Sequence, residues 1–384
     1  MKKICILTAT RAEYGLLKRV IEKLKMEAAF DVRIVVTGAH LSPEFGMTYK
    51  EIENDGFEID EKIEMLLSSD SPAAITKSMG LAMIGFADYF ERSKPDFLIV
   101  LGDRYETLAV CCAAMNHRIP IAHLYGGEAT EGLIDEAIRH AITKMSYLHF
   151  ASTENYRKRV IQLGEAPERV FNVGSLGVEN VLHEKLLTKE ELENSINWEL
   201  KKPYAVVTFH PVTLENESSE EQIRELLDAI ELNSQYQFII TKSNADSNGR
   251  VINALVDKFI ERNKHTKSFF SLGLKRYLTA VKYASFVMGN SSSGVIEVPS
   301  FGIPTINIGD RQNGRIQANS VLNCVAECDA INQAIKRALS SDFKDDINGI
   351  NPYYKDNTSS DIVEIIKNVL ESKKIDLKKI FYDL

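Results

Sequence analysis

Short runs of consecutive apolar residues, each closed by a glycine-rich or polar turn, recur along almost the whole chain, and this pattern limits the fold more than any other feature. In the first half the runs are "KICILTA", "VRIVVTG", "DFLIVLG", "PIAHLYG", "YLHFAST" and "RVFNVGS". In the second half they are "YAVVTFH", "QFIITKS", "KSFFSLG", "ASFVMGN" and "PTINIGD". They are near-continuous and not strictly alternating, so each strand must be covered on both faces, as in a parallel sheet between helical layers. Helical periodicity fills the intervals, for example at Tyr14–Leu24, Glu106–Asn116, Asp135–Ser146 and Gln222–Leu232. Alternation of this kind gives right-handed crossovers and doubly wound sheets. The expected fold is α/β, with two Rossmann-like domains facing each other across a cleft. A boundary is expected after "FNVGS", giving residues 1–174 and 175–364; a helical stretch at Leu176–Leu187 and the polar "TKEELENSINWELKKP" then lead to a fresh strand at Tyr204. Ser359–Phe381 reads as two helices with no strand after them.

Composition narrows the partners. A chain of 384 residues suffices for two domains with substantial cores. Its formal net charge of −8 excludes a general nucleic-acid surface, although a local pocket of arginines and backbone dipoles can still take an anion. The five cysteines, Cys5, Cys111, Cys112, Cys324 and Cys328, are odd in number and lack framework spacing, which predicts reduced thiols and a cytoplasmic location. No His or Cys pair completes a zinc site beside Cys324 and Cys328, so no metal is expected. The apolar run in "MKKICILTAT" is too short for a signal peptide and fits a first buried strand, and no apolar stretch reaches membrane-spanning length.

Polar residues collect where such a fold binds ligands, beyond the carboxyl ends of its strands. "TRAEYG", "TGAHLSPEFG", "GDRYE", "YGGEATEG", "HPVT", "SNADSNGR", "GNSSSG" and "GDRQNGR" each follow an apolar run. Arg11 stands where a dinucleotide-binding fold would carry a glycine, and no G-x-G-x-x-G is present. A guanidinium there suits a phosphate held by a side chain; the alternative is a solvated arginine on the first turn of a helix. Arg104, Arg311 and Arg315 carry the same two readings. In "GNSSSGVIEVP" the turn is either an ordinary serine cap or an anion seat, with Ser291 and Ser292 at a helix entrance. Glu297, about two turns in and flanked by apolar residues, could accept hydrogen bonds from ribose hydroxyls. The favoured reading of the turn is the diphosphate seat of a nucleotide.

Asp103, Glu128, Glu131, Asp135 and Glu136 lie on or beside two adjacent strand-end turns, and Asp103 and Glu128 stand out because each directly follows a buried run and a glycine. Surface acids are ordinarily only solvated. His210 ends "VVTFH" against Pro211 and could act as an acid near neutral pH. His40 is a weaker candidate, and His123 reads as a hydrogen-bonded core histidine.

Taken together, "TATRAEYG", "VLGDRYE", "GGEATEG…DEAIRHAITKMS", "FHPVT", "SNAD" and "GNSSSGVIEVPSFGIPTINIGDRQNGR" resemble the UDP-N-acetylglucosamine 2-epimerase family, nearly end to end and in order. The resemblance is to its hydrolysing branch: the non-hydrolysing branch shows E-A-G-L-R and H-R-R-E-N where this chain has "GGEATEG" and "HPVT". It implies the two-domain fold shared with many nucleotide-sugar glycosyltransferases (GT-B-like), with C-terminal helices at about 365–384 returning to the first domain. It implies Asp103, Glu128 and Asp135 as catalytic carboxylates and His210 as the catalytic histidine. Arg11, Ser291 and Ser292 would contact the diphosphate and Glu297 the ribose, with Arg104, Asn244, Gly289, Asn290 and Arg311 as further substrate-binding positions. The implied partner is a UDP-sugar, with no cofactor, no nucleic acid and no membrane, in a homodimer or dimer of dimers. The apolar excess of "ITKSMGLAMIGFADYF", Ile75–Phe90, offers either a subunit contact or ordinary core.

The implied reaction explains why these groups are needed. The hydrogen on C2 of an N-acetylhexosamine becomes acidic only as the C1–O bond breaks, so expulsion of UDP controls the chemistry and stabilisation of diphosphate charge is the main demand. Two faces at C2 require at least two acid–base groups. Three rival readings remain: the same reaction on UDP-2,4-diacetamido-2,4,6-trideoxyglucose, a glycosyltransferase of the same fold, and a non-catalytic nucleotide-sugar binding protein.

Overall fold

The computed structural model describes residues 1–212, 219–243, 249–372 and 375–384. The chain divides into two compact units. One comprises Met1–Glu128, Ile134–Glu179 and Tyr353–Leu384; the other comprises Ala129–Leu133 and Asn180–Pro352.

The first unit carries strands β1 (Lys2–Thr8), β2 (Phe30–Thr37), β3 (Ile59–Ile63), β4 (Phe97–Leu101), β5 (Ile121–Leu124), β6 (Leu148–Ala151) and β7 (Val170–Asn172). They form one sheet in the order β3-β2-β1-β4-β5-β6-β7, every pair parallel. The second unit carries β8 (Tyr204–Thr208), β9 (Gln237–Thr241), β10 (Thr266–Phe269), β11 (Phe286–Gly289), β12 (Thr305–Ile308) and β13 (Val321–Cys324). Their order is β10-β9-β8-β11-β12-β13, again all parallel. Both units are thus doubly wound α/β sheets of Rossmann type.

The apolar runs are continuous because each strand feeds two cores. Ile4 and Ile6 of β1 join Leu17, Val20, Ile21 and Leu24 of the helix Arg11–Met26 in one core. Cys5 and Leu7, pointing the other way, join Phe86 and Phe90 of the helix Pro72–Ser93. In β8 the partition repeats: Ala205 and Val207 share a core with Leu226 and Ile230, while Tyr204 and Val206 share one with Ala280 and Val281. Each of these valines, leucines and isoleucines contributes about 1.5–3 kcal/mol on burial.

The edge strands β3 and β13 are absent from the sequence expectation. "IDEKI" and "VLNC" are half-exposed in the fold, so neither shows the apolar run that marks a strand covered on both faces. The helix Lys189–Ile196 also lies inside the stretch read only as polar. Its signal is a capping box, with the Thr188 hydroxyl accepting from Glu191 N–H and the Glu191 carboxylate accepting from Thr188 N–H.

The C-terminal expectation is corrected. The helix Thr358–Ser372 belongs to the first unit, but residues 375–384 form no second helix. Long-range contacts tie this tail to the first unit. Tyr382 N–H donates to Gly164 O at 3.0 Å, and Lys379 Nζ donates to Ser146 O at 2.7 Å and pairs with Glu165 at 2.6 Å. Within the helix Pro72–Ser93, Phe86 and Phe90 are core, whereas Ile84 is 65% exposed. Among the described residues no helix is long and apolar enough to cross a membrane.

Candidate active site

Strand order reverses between β1 and β4 in the first unit and between β8 and β11 in the second. At such switch points the crossovers leave in opposite directions and open a crevice beyond the strand ends. Arg11, Asp103 and Arg104 follow the two strands of the first, and His210, Asn290, Ser291 and Ser292 those of the second; Glu128 and Asp135 follow β5 and Arg311 follows β12, each one strand further out.

In the first unit β1 ends at Thr8 and the helix Arg11–Met26 begins three residues later, with Thr10 as N-cap accepting from Glu13 N–H. Arg11 is therefore the first helical residue, half-buried, with burial lowering its pKa to about 10 against the opposing effect of Glu51. It stays charged at neutral pH. After β4, Gly102 turns the chain at φ 79°, followed by Asp103 and Arg104. Arg104 donates from Nε and Nη2 to the two carboxylate oxygens of Glu106, both at 3.2 Å.

A residue that sequence reasoning missed organises the carboxylates. Arg139, on the helix Asp135–Met145, is 1% exposed. It donates from Nη2 to Asp103, from Nη1 to Glu136, and from Nη1 to the Glu128 carbonyl at 2.9 Å. Burial alone would lower its pKa, but Asp103, Glu128 and Glu136 together raise it above the ordinary arginine value. A buried guanidinium of this kind fixes the rotamers of the acids around it. Glu128 is 2% exposed and accepts from Ser152 Oγ at 2.8 Å. It follows Gly127 (φ 79°), where a Cβ would come within 2.3 Å of the Tyr156 carbonyl. Asp135 opens the same helix one turn before Arg139. Arg139 was legible in principle, since "DEAIRH" puts it four residues after Asp135, on the same helix face.

His40 and His123 are core residues of this unit. His40 bonds Thr8 Oγ1 and Thr48 Oγ1, each at 2.9 Å, and burial lowers its pKa to about 4. His123 bonds Gly102 O at 2.8 Å and Thr143 Oγ1 at 3.1 Å, and burial lowers it to about 3. Both are neutral near pH 7.

In the second unit His210 follows β8 and is 9% exposed, its Nδ1 lying 3.1 Å from Ser243 Oγ. Its backbone is gripped by Asn290, which is fully buried. Asn290 therefore positions His210, and its carbonyl in turn accepts from Arg311 Nη1 at 3.0 Å and Gln312 Nε2 at 2.8 Å. Gly289 lies pressed on β8, where a Cβ would fall 1.9 Å from Thr208 O. Arg315 Nη1 donates to Gln312 Oε1 at 3.0 Å.

Ser291 caps a helix of only five residues, Ser292–Ile296, accepting from Ser293 N–H at 3.3 Å. Ser291, Ser292 and Glu297 are all half-buried. Glu297 is the C-cap and not a mid-helix residue, because Pro299 two positions on disfavours continued α-helix. The chain passes into a 3-10 turn at Val298–Phe301 that ends on Gly302. Tyr277 supports the turn by donating to Ser293 Oγ at 2.8 Å. Asn244 lies outside the described residues.

The sequence profile of UDP-N-acetylglucosamine 2-epimerases matches residues 22–367. The chain is 44% identical over 344 residues, 89% of both chains, to the Campylobacter jejuni protein named GDP/UDP-N,N'-diacetylbacillosamine 2-epimerase (hydrolyzing). It is 43% identical over 386 residues, covering all of this chain and 98% of the other, to polysialic acid biosynthesis protein P7 of Escherichia coli. In fold it is similar to UDP-GlcNAc 2-epimerase from Neisseria meningitidis, solved bound to UDP-GlcNAc, with TM-score 0.80 at 18% identity over 96% of this chain and all of that one. Doubly wound sheets with their polar residues at both switch points agree with this match, and the chain belongs to the UDP-N-acetylglucosamine 2-epimerase family.

Proposed function

We propose that the protein is a hydrolysing 2-epimerase that converts UDP-N-acetylglucosamine and water to N-acetylmannosamine and UDP. The observation that carries this reading is the set of acids gathered by Arg139, with Asp103 and Glu136 on its guanidinium and Glu128 held by Ser152. Such a set suits proton transfer at carbon, and a simple nucleotide-binding protein has no need of it. In the first step a carboxylate takes the C2 proton while the C1–O bond breaks. Its electron pair leaves with the diphosphate oxygen, giving UDP and a 2-acetamidoglycal. In the second step water adds its oxygen to C1 and a proton is delivered to C2 from the opposite face. Asp103, Glu128 and Asp135 would supply these acid–base roles, and His210 would assist the leaving oxygen.

Arg11, Arg104, Ser291, Ser292 and Arg311 would bear the diphosphate, and Glu297 the ribose. Each charge-assisted hydrogen bond contributes about 1.5–3 kcal/mol. Two or three that strengthen as charge develops would lower the barrier by several powers of ten, at about 1.4 kcal/mol per tenfold.

The names of the relatives support a second substrate reading. The Campylobacter relative and a Legionella pneumophila relative, 33% identical, both carry the name diacetylbacillosamine 2-epimerase (hydrolyzing). The same elimination and hydration on UDP-2,4-diacetamido-2,4,6-trideoxyglucose would use the same acids. Comparing kcat/KM for the two donors separates the readings. The mechanism itself is tested by turnover in D2O without acceptor: free UDP and an N-acetylmannosamine deuterated at C2 are expected, and product without deuterium overturns it.

A further inference from the structure

Glu13 has no role in the reaction as described, yet it is among the most constrained acids in the first unit. It stands in the first turn of the helix Arg11–Met26 and is 6% exposed. Its Oε2 accepts from Ala9 N–H at 2.7 Å, while Oε1 is buried with no hydrogen-bond partner among the described residues. A buried carboxylate oxygen without a donor disfavours the charged form. The groups facing it sharpen the conflict. From the start of the helix Tyr105–Asn116 come its N-cap Arg104 and the fully buried Glu106, which already engages Arg104 through both oxygens. On its own helix stand Arg11 and Tyr14, the latter bonded to Asp55 at 2.6 Å. With both glutamates ionised, one guanidinium would face two carboxylates. Burial, opposed by Arg104 and the Ala9 N–H and reinforced by Glu106, pushes Glu13 up to about 7.

We infer that Glu13 is a positioning residue that serves as a neutral acid beside Arg104, and that a diphosphate arriving at Arg11 and Arg104 draws a proton onto it. This rests on the reading of Arg11 and Arg104 as diphosphate contacts. The Glu13–Arg104–Glu106 trio carries net charge −1 when Glu13 is ionised and zero when it is protonated. Only the neutral trio accepts an added anion without repulsion, so binding and protonation favour each other.

The test is calorimetric titration of the full-length protein with UDP in buffers of different ionisation enthalpy, which counts protons taken up per ligand bound. Protons exchanged by UDP itself are common to wild type and Glu13→Gln and cancel in the difference. At pH 8 the wild type is expected to take up at least about half a proton more than the variant, and at pH 6 the two are expected to agree. Infrared difference spectra of the wild type alone should show a protonated-carboxyl band growing on addition of UDP at pH 8, a measurement that does not depend on the variant folding. Equal proton counts at pH 8, or no such band, overturn the inference while leaving the functional reading standing. Failure of the wild type to bind UDP overturns both.

Discussion

Asn290 holds His210 by its peptide groups and leaves the ring to Ser243: His210 N–H donates to Asn290 Oδ1 and Asn290 Nδ2 donates to His210 O, both at 2.7 Å. The two residues lie 80 positions apart, each just beyond the end of a central strand, so this clamp ties the two sides of the second switch point together. It also means that a histidine proposed for catalysis owes its place to an amide that is fully buried.

Replacing Asn290 with alanine removes both bonds and leaves buried peptide groups unpaired, at a cost of about 2–4 kcal/mol in stability. With His210 no longer fixed, kcat is expected to fall about 10- to 100-fold. Urea unfolding and steady-state UDP release measure the two effects separately. Full activity in a destabilised Asn290→Ala protein would show that the clamp serves folding alone.

Arg139→Lys keeps a charge but cannot fork between Asp103 and Glu136. The expected result is a loss in kcat of about 10²- to 10³-fold. Affinity for UDP should stay within about threefold, because no diphosphate contact is assigned to Arg139. Arg139→Met, which takes the guanidinium away from the part-buried Asp103 and Glu136 carboxylates and from the Glu128 carbonyl, should cost about 1–3 kcal/mol in stability. Loss of UDP affinity in step with kcat for Arg139→Lys would contradict the assignment.

Two glycines provide a contrast. Gly289 has φ 126° and its Cβ would fall 1.9 Å from Thr208 O, so Gly289→Ala must separate β8 from β11. A loss of about 3 kcal/mol or more is expected, visible in the melting temperature. Gly302 has φ 67° but open space around it, so Gly302→Ala should cost only about 1–2 kcal/mol of backbone strain. Equal destabilisation by the two changes would argue that the close approach at Gly289 is relieved elsewhere.

Glu165 gives a pH prediction. It is buried, which would raise its pKa, yet His149, Lys144 and the tail residue Lys379 together lower it from 4.5 to about 2. A carboxylate whose folded pKa is depressed stabilises the fold above its unfolded pKa, and that contribution disappears as pH falls through the folded value. About 3 kcal/mol should therefore be lost between pH 4.5 and 2, and Glu165→Gln should flatten that slope. Unfolding free energies measured across this range check it; an unchanged slope in the variant would assign the acid sensitivity to other groups.

The sequence places the candidate acids on two adjacent strand-end turns but does not show what holds them together. Asp103 and Glu128 stood out because a glycine and a buried run precede each, a local signal. Arg139 escaped notice because its role depends on Asp103, 36 residues away on another strand end. Ser152 and Ser243 escaped for the same reason, each being an ordinary residue beyond a strand until sheet order sets it beside Glu128 or His210. Glu13 carries no signal in the sequence; only its burial, with Arg104 and Glu106 acting on it, distinguishes it in the fold.

The chain's own periodicity determined the two doubly wound sheets and the turns that hold the site, because strands covered on both faces must be written as unbroken apolar runs. Tertiary structure alone decided the half-exposed edge strands β3 and β13, the non-helical course of residues 375–384, and the grouping of acids around one buried guanidinium. Those features depend on partners distant in sequence, and a local pattern of residues carries no record of which strand lies next to which.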